Sequence, residues 1–140
     1  MNEIDTINFT SFINQVVLHV SIDEHPLMMT FTEGGIVIEC PWRLRKKDKI
    51  IVGQADWNAS EASFHRQRVK SCLLGHTIQQ ISWCKEIGLM RIEFEEDYVL
   101  DVFHDSTMYE GWDLYGNDGF SFISLPGGVY DYRQATKTNT

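Results

Sequence analysis

Apolar and polar residues alternate along most of this chain, the period of a half-buried strand. Val16 to Val20, Leu27 to Phe31, and Ile36 to Cys40 each read as a strand, and Thr32-Glu33-Gly34-Gly35 is a tight-turn signal between the last two. Arg45-Lys46-Lys47-Asp48-Lys49 is a polar hairpin tip before the apolar run Ile50-Ile51-Val52. The period then changes. Asn58 or Ser60 can cap a helix over about 59–72, with Glu61 in its first turn and Phe64, Val69, Cys72 and Leu73 near one face, and Gly75 supplies the stop. Alternation resumes in Thr77 to Trp83, Leu89 to Phe94, Tyr98 to Phe103, Trp112 to Tyr115 and Phe120 to Leu125. Turn residues follow at Gly116 to Gly119 and at Pro126-Gly127-Gly128, and residues from about 132 to 140 read as a frayed tail.

The two halves resemble each other. FINQVVLHVS (12–21) matches LLGHTIQQIS (73–82) in its apolar positions, and LMMTFTEGGIVIEC (27–40) matches LMRIEFEEDYVLDVFH (89–104) with a two-residue adjustment. WRLRKKDKIIV (42–52) against WDLYGNDGFSF (112–122) repeats Trp-x-Leu followed by an apolar strand at the same interval. The expected fold is mainly β, of the α+β class. A pseudo-repeat of about 12–57 and 73–128 would form two antiparallel four-stranded meanders, packed or curled together and joined by one helix, in a single domain of residues 1–140. A meander with one apolar face is not stable alone, and two can bury each other's faces. Generic alternation would also give two similar halves without any duplication.

The repeat isolates one segment. The first half runs from Cys40 almost directly to Trp42, whereas the second reaches Trp112 from His104 through an insert, Asp105-Ser-Thr-Met-Tyr-Glu-Gly111. A loop that the scaffold does not need is where binding residues tend to sit. Charge sharpens this. The chain carries a net charge of -8, and residues 92–132 hold ten acids and no Lys or Arg, while 43–70 hold eight bases and three acids. Such a division is either a pair of solvated faces or an acidic surface that steers a basic partner. Asp101, Asp105, Tyr109, Glu110, Trp112, Asp113, Tyr115 and Asp118 are the candidate partner-binding residues, because Tyr and Trp beside acids compose an interface anchor. Trp112 has the repeat partner Trp42, which equally suggests a place in the core.

Catalytic and metal chemistry find no pattern. His19, His25, His65, His76 and His104 form no H-E-x-x-H and share no helix face at i, i+4. Glu93, Glu95, Glu96 and Asp97 read as a solvated turn, and the acids of 105–118 lack the spacing of a calcium loop. No Ser lies in G-x-S-x-G, and no Gly-rich stretch matches a phosphate loop. Cys40, Cys72 and Cys84 are odd in number and widely spaced, so each reads as an unpaired small core residue, not part of a disulfide framework or zinc site. No cofactor and no metal are expected. Acidity disfavours direct nucleic-acid binding, and there is no apolar run near the ~18 residues of a membrane span. A reduced, soluble, cytoplasmic, non-catalytic protein is the expectation.

The segments PWRL (41–44), VGQAD (52–56), LLG (73–75), YEGWDL (109–114) and PGG (126–128) resemble a family of small uncharacterised bacterial proteins, similar to immunity proteins encoded beside polymorphic or contact-dependent toxins. The resemblance spans about residues 12–128. It implies a bacterial, cytosolic, β-rich protein without catalysis; with the acidic, aromatic-bearing face, the expectation is an immunity or inhibitor protein that binds and occludes a cognate toxin or another basic protein. The alternative is a small-ligand or regulatory domain with a cavity between the two meanders. An enzyme with a carboxylate pair would need one acid in an apolar pocket, and no residue pattern identifies one.

Overall fold

The computed structural model describes residues 6–23, 26–59 and 61–136. His25, the candidate cap Ser60 and the end of the expected tail, residues 137–140, lie outside them. Among the described residues, eleven strands make two antiparallel sheets. In chain order they are β1 (Val17–Ser21), β2 (Leu27–Phe31), β3 (Gly34–Ile38), β4 (Trp42–Lys46), β5 (Lys49–Gly53), β6 (Ile78–Cys84), β7 (Leu89–Phe94), β8 (Tyr98–Phe103), β9 (Trp112–Gly116), β10 (Ser121–Ser124) and β11 (Tyr130–Arg133). Among the described residues, the α-helices α1 (Gln54–Trp57) and α2 (Ser63–Leu73) lie between β5 and β6. The first sheet has the order β1-β2-β3-β9-β10-β11, and the second β5-β4-β8-β7-β6.

Neither sheet is one half of the chain. Each half places three strands in one sheet and then crosses to add strands to the other, so β3 pairs with β9 and β8 with β4. Two separate meanders therefore do not stack. The halves follow the same course and exchange their ends. Ile38 opposite Trp112 in one sheet has its counterpart in Val102 opposite Trp42 in the other. Val17 opposite Phe31 likewise corresponds to Ile78 opposite Phe94. This correspondence shifts the sequence match by one residue: Leu27 takes the role of Met90 and not of Leu89. Leu27 and Met90 are both buried, and a one-residue slip in a strand would turn every side chain to the wrong face.

Inward side chains from both sheets form one core, including Val20, Met29, Ile36, Ile38, Leu44, Val52, Ile81, Ile92, Leu100, Leu114 and Phe122. The sheets are also joined at one seam. Gln15 to Val17 bond to the backbone of His76 to Ile78, through Val17 N to His76 O (2.9 Å) and Ile78 N to Gln15 O (2.8 Å). An apolar core alone leaves a sheet edge unpaired, and this bridging satisfies part of it.

The expected helix of about 59–72 is replaced by a short helix that precedes it and a longer one that starts later, at Ser63. Asp56 accepts a hydrogen bond from Gly53 N at 2.9 Å and starts the short α1, which Asn58 ends. The position before α2 is Ala62, without a side-chain cap. Val69 and Leu73 are buried as the periodicity indicates, but Phe64 is exposed, because the face turned to the core passes through Ala62, Val69 and Leu73. Gly75, at φ +86, takes the left-handed backbone that glycine favours. Tyr132 and Arg133, placed by sequence in the tail, belong to β11, where Tyr132 stands opposite Phe122.

Candidate functional site

The insert between β8 and β9 is held at several points. His104 Nε2 donates to Tyr109 O at 2.8 Å, which leaves its Nδ1 to accept from the Ser124 hydroxyl. Ser106 Oγ accepts from Met108 N (3.0 Å) and Tyr109 N (2.9 Å), and Ser106 O accepts from Gly127 N (2.9 Å). Gly111 bonds on both sides, donating to Ser124 O (3.0 Å) and accepting from Glu39 N (2.7 Å). A Cβ there would stand 2.9 Å from His104 Cγ, so only glycine lets the loop close on the histidine. His104 thus acts as a backbone clamp, with both ring nitrogens engaged.

The clamped loop carries exposed apolar side chains, Met108 at 73% and Tyr109 at 69%. They line an open cleft of about 410 Å³ with Glu39, Glu110 and Pro126. Asp105 is exposed beside it. Burial, and then the charge of Glu110, raise the Asp113 carboxyl above its ordinary value. The Cys40 thiol is pushed up to about 12 by burial, with Asp105 and Glu39 adding to it. Burial is the larger cause of both shifts, and the neighbouring acids add a smaller push in the same direction.

The eight sequence candidates therefore divide. Asp105, Tyr109, Glu110 and Asp113 come together. Trp112 is 1% exposed, with its ring 5.5 Å from those of Trp83 and Phe122, so it is core. Asp118 lies at the opposite end of β9, about 14 Å along the strand, where its Oδ1 accepts from Phe120 N in the hairpin turn. Tyr115 covers Gly35 on the neighbouring strand: a Cβ at Gly35 would meet the tyrosine hydroxyl, a sheet-building role. Glu39 and Met108 also line this cleft, and neither carries a signal of its own in the sequence. Glu39 joins the site only through the long-range pairing of β3 with β9.

Asp101 is the clearest correction. It faces outward in the middle of the second sheet, yet is only 3% exposed, because three arginines close over it. Arg43 Nε (2.8 Å) and Arg45 Nε (2.7 Å) donate to its Oδ2, and Arg91 Nε (2.8 Å) to its Oδ1. Burial alone would raise its pKa; the hydrogen bonds from Arg45, Arg91 and Arg43 and the charge of Arg45 overcome this and lower it to about 2. Asp101 belongs to a basic cluster and not to the acidic surface.

The three cysteines are free and apart: Cys40 buried, Cys72 half-buried on α2, and Cys84 exposed at the end of β6, which removes it from the core. Cys84 is expected to react with a thiol reagent in the native protein, and Cys40 only on unfolding. Mass spectrometry after a short alkylation pulse checks this, and native labelling of Cys40 would contradict it. Among the described residues, no group of three or more His, Cys, Asp or Glu is placed to hold a metal ion, and no helix is long and apolar enough to cross a membrane.

A model described as a family of unknown function (DUF6188) matches residues 8–132. The chain belongs to this family. No curated protein and no solved structure matches it. The matched segment covers both sheets, both helices and the clamped insert, up to Tyr132 in β11. The family description assigns no chemistry, so the site must be read from its own geometry.

Proposed function

We propose that this DUF6188 protein is a non-catalytic binding protein that engages a basic protein through the clamped acidic loop and occludes it, as an immunity protein neutralises a toxin. The observation that carries the reading is the pairing of Met108 and Tyr109, exposed on a fixed backbone, with Glu39, Asp105, Glu110 and Asp113 around them. A loop already held in place loses little conformational freedom on binding. Acids at its rim speed encounter with a basic surface, while the tyrosine supplies area that can be desolvated. The cytosol of a bacterium is the setting that the sequence resemblance suggests.

The test starts from a partner captured with tagged protein and then purified. Charge reversal of Glu39 and Glu110 to Lys is expected to slow association at least tenfold at low salt, and added salt should slow the wild type in the same sense. Tyr109→Ala should mainly speed dissociation, costing about 2 kcal/mol of affinity. Reversal of Glu61 and Glu86, both outside this cleft, is the control. Equal effects from both pairs, or none from either, would refute the reading.

A second reading, a small-ligand domain, has its own observation. An open cleft of about 520 Å³ at the end of the sandwich is lined by Leu27, Ile38, Trp42, Gln54, Trp57 and Asn58, among others. Its size and aromatic walls suit a small molecule. A ligand that quenches tryptophan fluorescence and leaves partner association unchanged would favour it.

A further inference from the structure

The basic cluster around Asp101 has a surplus of charge that its own contacts do not use. Arg43, Asp101 and Arg91 stand side by side on β4, β8 and β7, in direct register across three strands, and Arg45 reaches the same carboxylate from the diagonal position. Three guanidinium groups face one carboxylate, on a protein whose net charge is -8. Arg45 is nearly covered, and its Nη1 is taken up by Lys47 O. Arg43 and Arg91 differ: their side chains are 49% and 39% exposed. Each gives its Nε to Asp101, and among the described residues neither has another hydrogen-bond or ion-pair partner. Asp101 therefore orients two guanidinium forks while leaving their outer N–H groups free. Glu93, two residues from Arg91 on the same face, forms no ion pair with them among the described residues.

Arg43 lines an open cleft of about 290 Å³ together with Pro41, Trp42, Leu89, Asp101 and Phe103, and Arg91 adjoins it through its bond to Asp101. Its walls are largely apolar, and Phe103 is substantially exposed on it. Guanidinium groups bind carboxylate and phosphate oxygens in pairs, and they are less strongly hydrated than ammonium groups. An apolar wall next to such a fork fits a ligand whose charge and apolar body are adjacent. The volume, at the small end of ligand pockets, fits one ring or a short chain and not a long segment.

We propose that this cleft binds a small organic anion, its carboxylate or phosphate group held by Arg43 and Arg91 and its apolar body lying against Leu89 and Phe103. The site is on the outer face of the second sheet, and it depends on neither the acidic loop nor its partner. Asp101 is a positioning residue in it, since it aims the arginines and would repel the ligand if it were not outnumbered.

Two-dimensional NMR of the full chain tests this, following the arginine Nε–H resonances during titration. Phenyl phosphate and phenylacetate are the probes that distinguish the head groups, with inorganic phosphate and benzyl alcohol as controls. At least one aryl anion is expected to shift the Arg43 and Arg91 signals saturably, with a Kd of about 1 mM or tighter. Inorganic phosphate and benzyl alcohol should each bind at least about tenfold more weakly. Arg91→Gln, or Arg91→Lys if the first variant does not fold, should weaken the aryl anion about tenfold, the loss expected for one charge-assisted contact. Phe103→Ala should abolish the preference for the aryl probe over inorganic phosphate. The proposal fails if neither aryl anion saturates at about ten times that concentration, if the shifts map to other residues, or if the Arg91 variant binds as the wild type does.

Discussion

Asp101→Asn is expected to lower the unfolding free energy by about 3 kcal/mol at neutral pH, at the low end of the range for breaking a buried ion pair. Asn preserves the shape but offers a single neutral acceptor to three arginines, which then repel one another. The low end applies because Arg43 and Arg91 are half exposed and water screens them. Part of the loss depends on pH. The carboxyl lies at about 2 in the folded chain against an ordinary 3.8, which corresponds to about 2.5 kcal/mol. The folded value is the lower one, so this stability is present above 3.8 and is lost as the pH falls through about 2. Urea unfolding at a series of pH values checks the sign. The gap between wild type and variant should be widest near pH 5 to 7 and should shrink from about pH 4 to 2. A constant gap would mean that the carboxylate charge is not what holds the cluster.

Trp112→Ala should be as damaging, at about 3–5 kcal/mol, from lost burial and the cavity left behind. Its ring touches Trp83 across the sandwich, Phe122 on the adjacent strand, and His104, the clamp of the insert. The damage should thus spread to the loop, with faster amide exchange at Ser106 to Glu110 than the global loss explains. Trp112→Phe should do much less harm, because the indole Nε1 is buried with no partner in the protein and the smaller ring removes that donor. Tyr109→Ala, 69% exposed, should leave stability within about 0.5 kcal/mol. Denaturant midpoints for the three variants decide the matter: if Trp112→Ala costs under about 1 kcal/mol, or Tyr109→Ala costs as much as Trp112→Ala, the division between core and surface is wrong.

Local pattern gave most of the strands, because alternation is a property of neighbouring residues. Thr32-Glu33 before Gly34, Lys47-Asp48 after Lys46, and the turn before Gly119 all stand where turn chemistry puts them. β4 and β11 were harder. Trp42 to Lys46 is rich in charge, and its outward arginines mask the alternation that buries Trp42 and Leu44. Tyr130-Asp-Tyr-Arg133 is short and close to the end of the chain, and it becomes a strand because β10 offers it an edge. In the site, the insert stood out because the second half spends six more residues than the first between matching positions, a difference that the pairing of Ile38 with Trp112 and Val102 with Trp42 reproduces.

Charge follows the sheet and not the sequence, for a physical reason. Composition along the chain assigns Asp101 to an acidic stretch, but a strand is surrounded by its sheet neighbours and not by its sequence neighbours. Arg43 lies 58 positions away and Arg91 lies 10, and register brings both to the same carboxylate. Alternation into strands around a helical interruption, the places of the turns and the insert that departs from the repeat are all legible in the chain, since they follow from residues within a few positions of each other. The exchange of strands between sheets, the core position of Trp112, the place of Glu39 beside the loop and the service of Asp101 to a basic cluster emerge on folding, because each depends on which distant backbone edges bond to one another.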